Sequence, residues 1–339
     1  MKEDIILDKE LSMKDVISEN IPEILSYIFN PKEWGIFFKR FLLIFALFIS
    51  GYIFWLFPVS LAVAPFYSVT TSTLEPIKKE SKLEGKSTVL SVRNGMQDLL
   101  NKGLVTNFIG VRNWIDNKPN EQIGEIEIYR IAVNTLENNL GRNRGTGGAN
   151  KHLVQARADI YADYERPYFT SYSTRLKQSI NSIDKYLEEL EKNKNVEMSK
   201  KTAVFIVNSD NLAEVLDKVK QQIQTNLARP ITFLTEDDKF YKIRGNLIAT
   251  YYFLKGIDFD FKDKMIDKSS YTENFIPILE SLENAISRNP LIVLEFKGDV
   301  SKIEKDANVV SQKLAELRDK LKNGWYKILI IWYSGLIWF

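Results

Sequence analysis

An uncharged apolar run near the N-terminus constrains this chain more than any other feature. The run extends from Phe41 to Ala64 and contains no Asp, Glu, Lys or Arg. As an α-helix it would measure about 36 Å, and the hydrocarbon core of a bilayer is about 30 Å thick. A core helix of a soluble protein is rarely apolar on every face over such a length. The sequence therefore predicts a single transmembrane helix over residues 41–64.

A cleaved signal peptide is the alternative interpretation of this run. The residues Ala62 to Ala64 resemble a small-residue cleavage site. The apolar run is too long for a signal peptide, however, and it begins about forty residues from Met1. An uncleaved signal anchor is the prediction.

The basic residues beside the run predict its orientation. Lys32, Lys39 and Arg40 precede it closely, whereas the only charged residue in the stretch 65–76 is Glu75. The positive-inside rule then places the N-terminus in the cytoplasm. The large C-terminal part is then predicted on the far side of the membrane, which is the periplasm if this is the inner membrane of a Gram-negative bacterium.

Composition excludes several classes of function. Lys plus Arg total 46 and Asp plus Glu total 44, so the net charge of +2 gives no reason to expect nucleic acid as a partner. The chain has no cysteine, which excludes disulfides, thiol catalysis and Cys-rich zinc sites. A histidine-based metal site or triad would depend on His152 alone. No cofactor and no metal are predicted.

Apolar residues at spacings of three and four predict a mainly α-helical chain. Each apolar stripe covers two or three turns, which favours packing inside one helical bundle over coiled coils. The clearest are Val89/Val92/Met96/Leu99/Leu100, Ile128/Ile131/Ala132/Thr135/Leu136, Leu176/Ile180/Ile183/Leu187/Leu190, Leu212/Val215/Leu216/Val219/Ile223/Leu227 and Val310/Leu314/Leu317/Leu321. Leu291 to Phe296 is interpreted as a strand or a buried helix start.

The predicted organisation has five parts. A cytoplasmic segment, residues 1–40, precedes the transmembrane helix, 41–64, and a linker, 65–86, follows it. The helical soluble domain takes residues 87–324, and an apolar tail takes 325–339. The tail is too short to span a membrane. Membrane contact, a place in the core and no selected function all stay open for it.

Catalytic motifs are weak in this sequence. Gly85-Lys86-Ser87-Thr88 resembles the end of a phosphate-binding loop, but Glu80 stands where that motif needs a glycine. Carboxylates are plentiful, and a facing pair would be needed for glycoside hydrolysis. Solvated or helix-capping roles are the default for such residues, among them Asp116, Glu121, Glu125, Asp237, Asp238, Asp258 and Asp260.

Two short elements are candidates for a binding or structural cluster. In the first, Trp114 is a large anchor, and Asp116 or Asn117 would cap a helix that has Pro119 near its start. The second runs from Asp237 to Gly245, where acids open a helix and an arginine is expected to pair with one of those carboxylates. The predicted members of the cluster are Trp114, Asp116, Asn117, Pro119, Asp238, Tyr241, Arg244 and Asp260.

In their order and spacing these elements resemble the bacterial DUF2333 family of uncharacterised membrane-anchored proteins. The resemblance extends from about residue 41 to residue 324 and implies an anchored helical domain with no known activity. The family has a stretch containing Gly and Asn before its last helix, where this chain has Leu291 to Asp299. The matching residues are Trp114/Asp116/Asn117/Pro119, Asp210/Asn211/Leu212, Asp237/Asp238/Phe240/Tyr241/Arg244/Gly245 and Asp260/Phe261.

The functional expectation is a non-enzymatic envelope protein that scaffolds or binds another envelope component. Its expected partners are the membrane and another envelope protein, and a homo-oligomer stays open. One alternative is a domain that binds a lipid or a peptide in a groove near Trp114 and Tyr241. A cell-wall hydrolase that uses paired carboxylates is the third candidate.

Overall fold

The computed structural model describes residues 35, 38–51, 83–104, 117–141, 148–164, 172–197, 200–230, 236–265, 271–288, 290, 293 and 298–336. The chain divides into two compact units, Met1–Pro65 and Phe66–Phe339. Residues 38–51 of the first unit are helical. The predicted transmembrane helix is thus described only as far as residue 51.

All the regular secondary structure that is described in the second unit is helical. Its helices are α1 (Lys86–Asn101), α2 (Asn117–Thr135), α3 (Lys151–Ile160), α4 (Tyr172–Lys192), α5 (Ser209–Leu227), α6 (Glu236–Phe261), α7 (Ile276–Ser287) and α8 (Asp299–Leu336). A π-helical turn, Leu136–Leu140, extends α2, and another, Tyr271–Phe275, leads into α7. The described ranges contain no strand, so the predicted mainly α fold is confirmed.

The apolar stripes predicted from spacing form the core of this unit. All members of the α4 and α8 stripes are buried. Leu100, Ile131 and Leu227 are only partly buried and pack at the edge of the core. Because each helix has one apolar side, the stripes can be covered only by packing the helices together.

In the first unit the described apolar side chains are exposed and not buried. Every residue of the 38–51 helix is exposed, including Ile44 at 64% and Phe48 at 73%. Among the helices that are described, none is both long enough and apolar enough to cross a membrane.

The predicted apolar tail, 325–339, is described as far as residue 336, and that part of it is helical. Helix α8 continues without a break from the bundle to Leu336, because neither Gly324 nor any proline interrupts the helical pattern. Of the predicted strand or helix start at 291–296, only Val293 is described, and it is buried.

Helix α6 lies at the centre of the second unit. It packs against α1, α2, α5, α7 and α8, so every residue from Lys239 to Leu254 is buried. A helix covered on all sides is expected to be apolar all round, yet this stretch carries three cations. Each has a partner in another helix; Lys242 Nζ, for example, lies 2.6 Å from a carboxylate oxygen of Glu127 in α2.

Glycines allow α6 and α2 to pack backbone against backbone. A Cβ atom at Gly245 would collide with the carbonyl oxygen of Glu121, and one at Gly124 would collide with that of Lys242. The side-chain amide of Asn246 donates to the carbonyl of Gly124 at 2.7 Å, which fixes the position of the crossing. The α2–α6 contact brings polar residues of both helices together.

Gly245→Ala is expected to lower the free energy of unfolding by about 3 kcal/mol or more, because the added methyl group meets rigid backbone. Urea unfolding of the full chain in mild detergent, followed by circular dichroism, measures the change. Gly148→Ala is the matched control, since nothing lies within 4 Å of a Cβ atom there. Equal midpoints for the two variants would contradict the close crossing.

Four helices end against a cationic side chain from another helix. The last carbonyl groups of a helix have no partner inside it and carry partial negative charge. Helix α2 supplies the donors for α1 and α3, and α6 supplies those for α5 and α7. We call these bonds the interhelical caps. Arg130 Nε donates to Ile160 O at the end of α3 (3.0 Å), and Arg244 Nη2 donates to Ile286 O in the last turn of α7 (2.9 Å). Lys118 Nζ donates to Lys102 O (2.7 Å) and Lys239 Nζ to Arg229 O (2.8 Å), one and two residues past the ends of α1 and α5.

Candidate functional site

The two candidate elements of the sequence meet where α2 and α6 begin. Asn120 follows Pro119 in the first turn of α2, and its amide donates to Asp238 Oδ1 at 2.5 Å. Pro119 is buried, and Asn117 is the first residue of the helix. Trp114 and Asp116 lie outside the described residues, so the predicted cap by Asp116 stays a prediction.

Arg244 is the most deeply buried polar side chain of this region. Its side chain has no exposed area and forms an ion pair with the carboxylate of Glu121. Its Nε donates to the carbonyl of Arg288 at 2.9 Å, and its Nη2 donates to Ile286 O at the end of α7. Burial raises the pKa of Glu121, and the guanidinium works against that rise. All the polar contacts of Arg244 are thus internal.

The predicted pairing of Arg244 with Asp237 or Asp238 is wrong. Asp237 lies two turns away on the same helix, about 10 Å along its axis, and Asp238 projects from another side. Neither acid reaches the guanidinium, whereas Glu121 faces it across the helix crossing. Asp238 instead receives the amide of Asn120.

Tyr241 completes this part of the cluster. Its hydroxyl donates to the carbonyl of Pro290 at 2.6 Å. Burial, together with the negative charge of Glu121, raises the pKa of Tyr241 to about 12. Tyr241 therefore acts as a neutral hydrogen-bond donor that ties the segment after α7 to the central helix.

Asp260 belongs to a different place in the fold. It lies sixteen residues beyond Arg244 on α6, or about 24 Å along the helix. Its Oδ2 accepts hydrogen bonds from the backbone N–H (2.6 Å) and the hydroxyl (2.7 Å) of Thr88. Burial raises the pKa of Asp260, and the bonds from Thr88 oppose the rise. Asp260 is therefore the cap that Gly85, at the N-terminal end of α1, has no side chain to provide.

The same contacts explain the phosphate-like motif at residues 85–88. The free N–H groups of a helix start bind anions, and here the anion is the carboxylate of Asp260. Lys86 Nζ points to Glu191, at 2.5 Å. The motif builds an internal helix cap.

Sequence reasoning underestimated a buried carboxyl on α2. Glu125 has no exposed surface, and neither of its carboxylate oxygens has a hydrogen-bond partner. Lys102 Nζ lies 3.9 Å from Glu125 Oε1 and only 2.7 Å from Asp98. The hydroxyl of Tyr129, one turn further along α2, is also buried without a hydrogen-bond partner. The sequence did indicate this burial: Glu125 precedes Ile128 by three residues, so it lies on the same helix face as the apolar stripe.

Electrostatics at Glu125 are dominated by burial, which raises its pKa to about 8. The ammonium of Lys102 lowers the pKa and the neighbouring carboxylate of Glu121 raises it. The carboxyl is therefore protonated in the folded protein at neutral pH. A neutral carboxyl without hydrogen bonds destabilises the fold, so this position is a candidate for a role beyond packing.

Within the described ranges, no three His, Asp or Glu side chains come together to hold a metal ion. His152 Nε2 lies 3.1 Å from Glu189 Oε1, and its backbone N–H is bound by the Asn150 side chain that starts α3. These contacts give His152 a place at the junction of α3 and α4.

Comparison with known proteins places the chain in a family and gives no activity. No curated protein and no solved structure matches it. One family model matches residues 32–233, a stretch that includes the elements at 114–119 and 210–212. The elements at 237–245 and 260–261 lie beyond the matched stretch. The chain belongs to DUF2333, a family of uncharacterized proteins conserved in bacteria.

Proposed function

We propose that this protein is a non-enzymatic, membrane-anchored component of the bacterial envelope whose helical domain scaffolds or binds another envelope component. Phe41–Ala64 is the single transmembrane helix. Residues 1–40 are cytoplasmic, and the second unit stands on the periplasmic side of the inner membrane.

The observation that carries the anchor is the exposure of the 38–51 helix. Apolar side chains are exposed on all its faces, including Leu43 (63%), Leu47 (62%) and Phe48 (73%). Exposing that much apolar surface to water is unfavourable by roughly 25 cal/mol per Å². A bilayer provides the apolar surroundings that such a helix needs, and Lys39 and Arg40 at its start favour a cytoplasmic N-terminus.

The docking function is supported by a small surface on α3. Val154 (38%) and Tyr161 (49%) are the most exposed large apolar side chains among the described residues of the second unit. With exposed Ala158 between them they follow a spacing of four and three, so they share one helix face. The guanidinium of Arg130 lies over the ring of Tyr161, 5.4 Å from the ring centre, in a cation–π contact. Tyrosine and arginine anchors of this kind are typical of protein interfaces.

The contacts of the candidate carboxylates favour a binding function over hydrolysis. Asp260 caps α1, Glu121 pairs with Arg244, and Asp238 accepts the amide of Asn120. A general acid or a nucleophile must reach a substrate, and these three hold the fold together instead. A groove beside Tyr241 is likewise not favoured, because its hydroxyl is already bound to Pro290 O.

Site-specific photo-crosslinking in living bacteria tests the proposal. A crosslinking amino acid in place of Tyr161 is expected to give one defined protein adduct, which Val154→Asp weakens at least several-fold because it places a charge in the contact. Lys192, which is 77% exposed on α4, is the control position and is expected to give no such adduct.

Each outcome of that experiment is informative. An adduct of twice the chain mass identifies a second copy as the partner. No adduct at Tyr161, or the same adducts at both positions, contradicts docking through this face. A defined lipid recovered with the protein in place of an adduct supports the lipid-binding alternative.

A further inference from the structure

Helix α8 changes its chemical character along its length. Residues 299–322 carry eleven charged side chains, whereas residues 323–336 carry one, Lys327. The first part has a single buried stripe, formed by Val300, Ile303, Ala307, Val310, Leu314, Leu317 and Leu321. Because the backbone is one continuous helix, positions in the two parts can be compared by their angle around the axis.

Eighteen residues correspond to about five turns of α-helix, so residues that far apart share an angular position. Asn308 and Gln312 are exposed in the first part. Eighteen residues later, the same angular positions carry Tyr326 and Ile330. The flank of α8 that is polar and faces water beside the bundle is therefore apolar beyond residue 324.

A polar strip persists on the remaining side of the helix. Glu316 and Lys320 are exposed, and Lys327 and Ser334 continue their line at intervals of seven residues. The second part is thus a helix with a wide apolar face and a narrow polar strip. Such a helix suits an apolar medium that borders water.

We infer that residues 325–336 of α8 form a second membrane contact, in which the helix lies in the interfacial region of one leaflet. These twelve residues measure about 18 Å, too short to cross a core of about 30 Å. Two aromatic pairs, Trp325-Tyr326 and Trp332-Tyr333, lie seven residues apart and therefore on one side of the helix. Tryptophan and tyrosine concentrate where acyl chains meet headgroups.

Lys327 fits the same arrangement. Its alkyl chain can follow the apolar surface while the ammonium reaches anionic headgroups. Tryptophan and tyrosine are common in protein interfaces as well, so the choice of lipid rests on the wide apolar face with a single lysine at its edge. The inference rests on the proposed membrane location and adds a second attachment, at the end of the helix that packs against α5 and α7.

Nitroxide spin labels test the inference, and the absence of native cysteine makes every introduced cysteine unique. The full chain is reconstituted in vesicles of phosphatidylethanolamine and phosphatidylglycerol. Labels are placed at Ile330→Cys in the second part of α8, at Gln312→Cys as the control of equal angle, and at Phe45→Cys in the N-terminal helix. Collisions with oxygen report lipid, and collisions with a water-soluble nickel complex report water.

The expected result is that the label at 330 loses nickel accessibility and gains oxygen accessibility relative to the label at 312. A label at 330 that is open to nickel overturns the inference, and lipid exposure at 45 then leaves the anchor intact. A label at 330 that is closed to both reagents, or broadened by a label on another copy, also overturns it in favour of protein packing. Nickel accessibility at 45 as well would overturn the anchor itself.

Discussion

Arg244→Met is expected to lower the free energy of unfolding by about 3–5 kcal/mol, since it leaves the buried carboxylate of Glu121 without its partner. The substitution also removes the donors to the end of α7. Urea unfolding of the full chain in mild detergent, followed by circular dichroism, measures the loss. Arg93→Met is the matched control, because Arg93 pairs with Asp184 at a partly exposed site. There we expect a loss of about 1 kcal/mol or less.

A double variant separates the two roles of Arg244. Glu121→Leu combined with Arg244→Met removes both charges, and an apolar pair of this kind often restores stability. The carbonyl groups of Ile286 and Arg288 stay without a donor, however, so only part of the loss should return. Full recovery would show that the cap contributes little, and a loss for Arg244→Met no larger than that for Arg93→Met would contradict a buried ion pair.

Glu125→Gln is expected to stabilise the protein at alkaline pH. Its carboxyl has a pKa of about 8 in the folded protein against an ordinary value of 4.5. Between these values the folded state keeps a proton that the unfolded state releases, so stability falls as pH rises. The full loss, present above pH 8, is at most about 5 kcal/mol, at about 1.4 kcal/mol for each pH unit. Glutamine is neutral at every pH, so the variant does not lose this stability as the pH rises.

The difference between variant and wild type should therefore grow from near zero at pH 4.5 to its maximum above pH 8. The charged groups around Glu125 are Asp98 of α1, Lys102 directly after α1, Glu121 of α2 and Arg244 of α6. Urea midpoints across this pH range measure the difference, with Glu316→Gln on the exposed side of α8 as the control. A variant less stable than wild type at pH 9 would show that Glu125 is ionised and stabilised by Lys102.

Helical periodicity predicted much of this fold because burial of a helix follows from spacing along the chain. The stripe from Leu176 to Leu190 needed only the rule that positions three and four apart share a face. The depth of α6 was not predictable in this way, since a helix covered on every side has no periodic pattern. Its burial depends on where five other helices lie.

The candidate site shows a similar division. The sequence pointed to Asp238, Tyr241 and Arg244 as members of one cluster, but the partner of Arg244 is 123 residues away in the chain. Local spacing favoured the acids of its own helix, and only the glycine-mediated crossing of α2 and α6 brings Glu121 closer. Asp260 was also named, but its role as a helix cap was not predicted. The helix that it caps, α1, is distant in sequence, so the residues around Asp260 give no indication of the contact. The missing side chain at Gly85 was the only local sign.

The interhelical caps have a consequence for how the domain comes apart. When a helix supplies its own end caps, it can fray or detach while its neighbours keep their hydrogen bonds. Here the ends of α1, α3, α5 and α7 are bound by side chains of α2 and α6, so losing either of these two helices strips the ends of two others. Opening of α2 or α6 is thereby coupled to the loss of hydrogen bonds at two other helix ends, which favours cooperative unfolding of these six helices over the detachment of one of them.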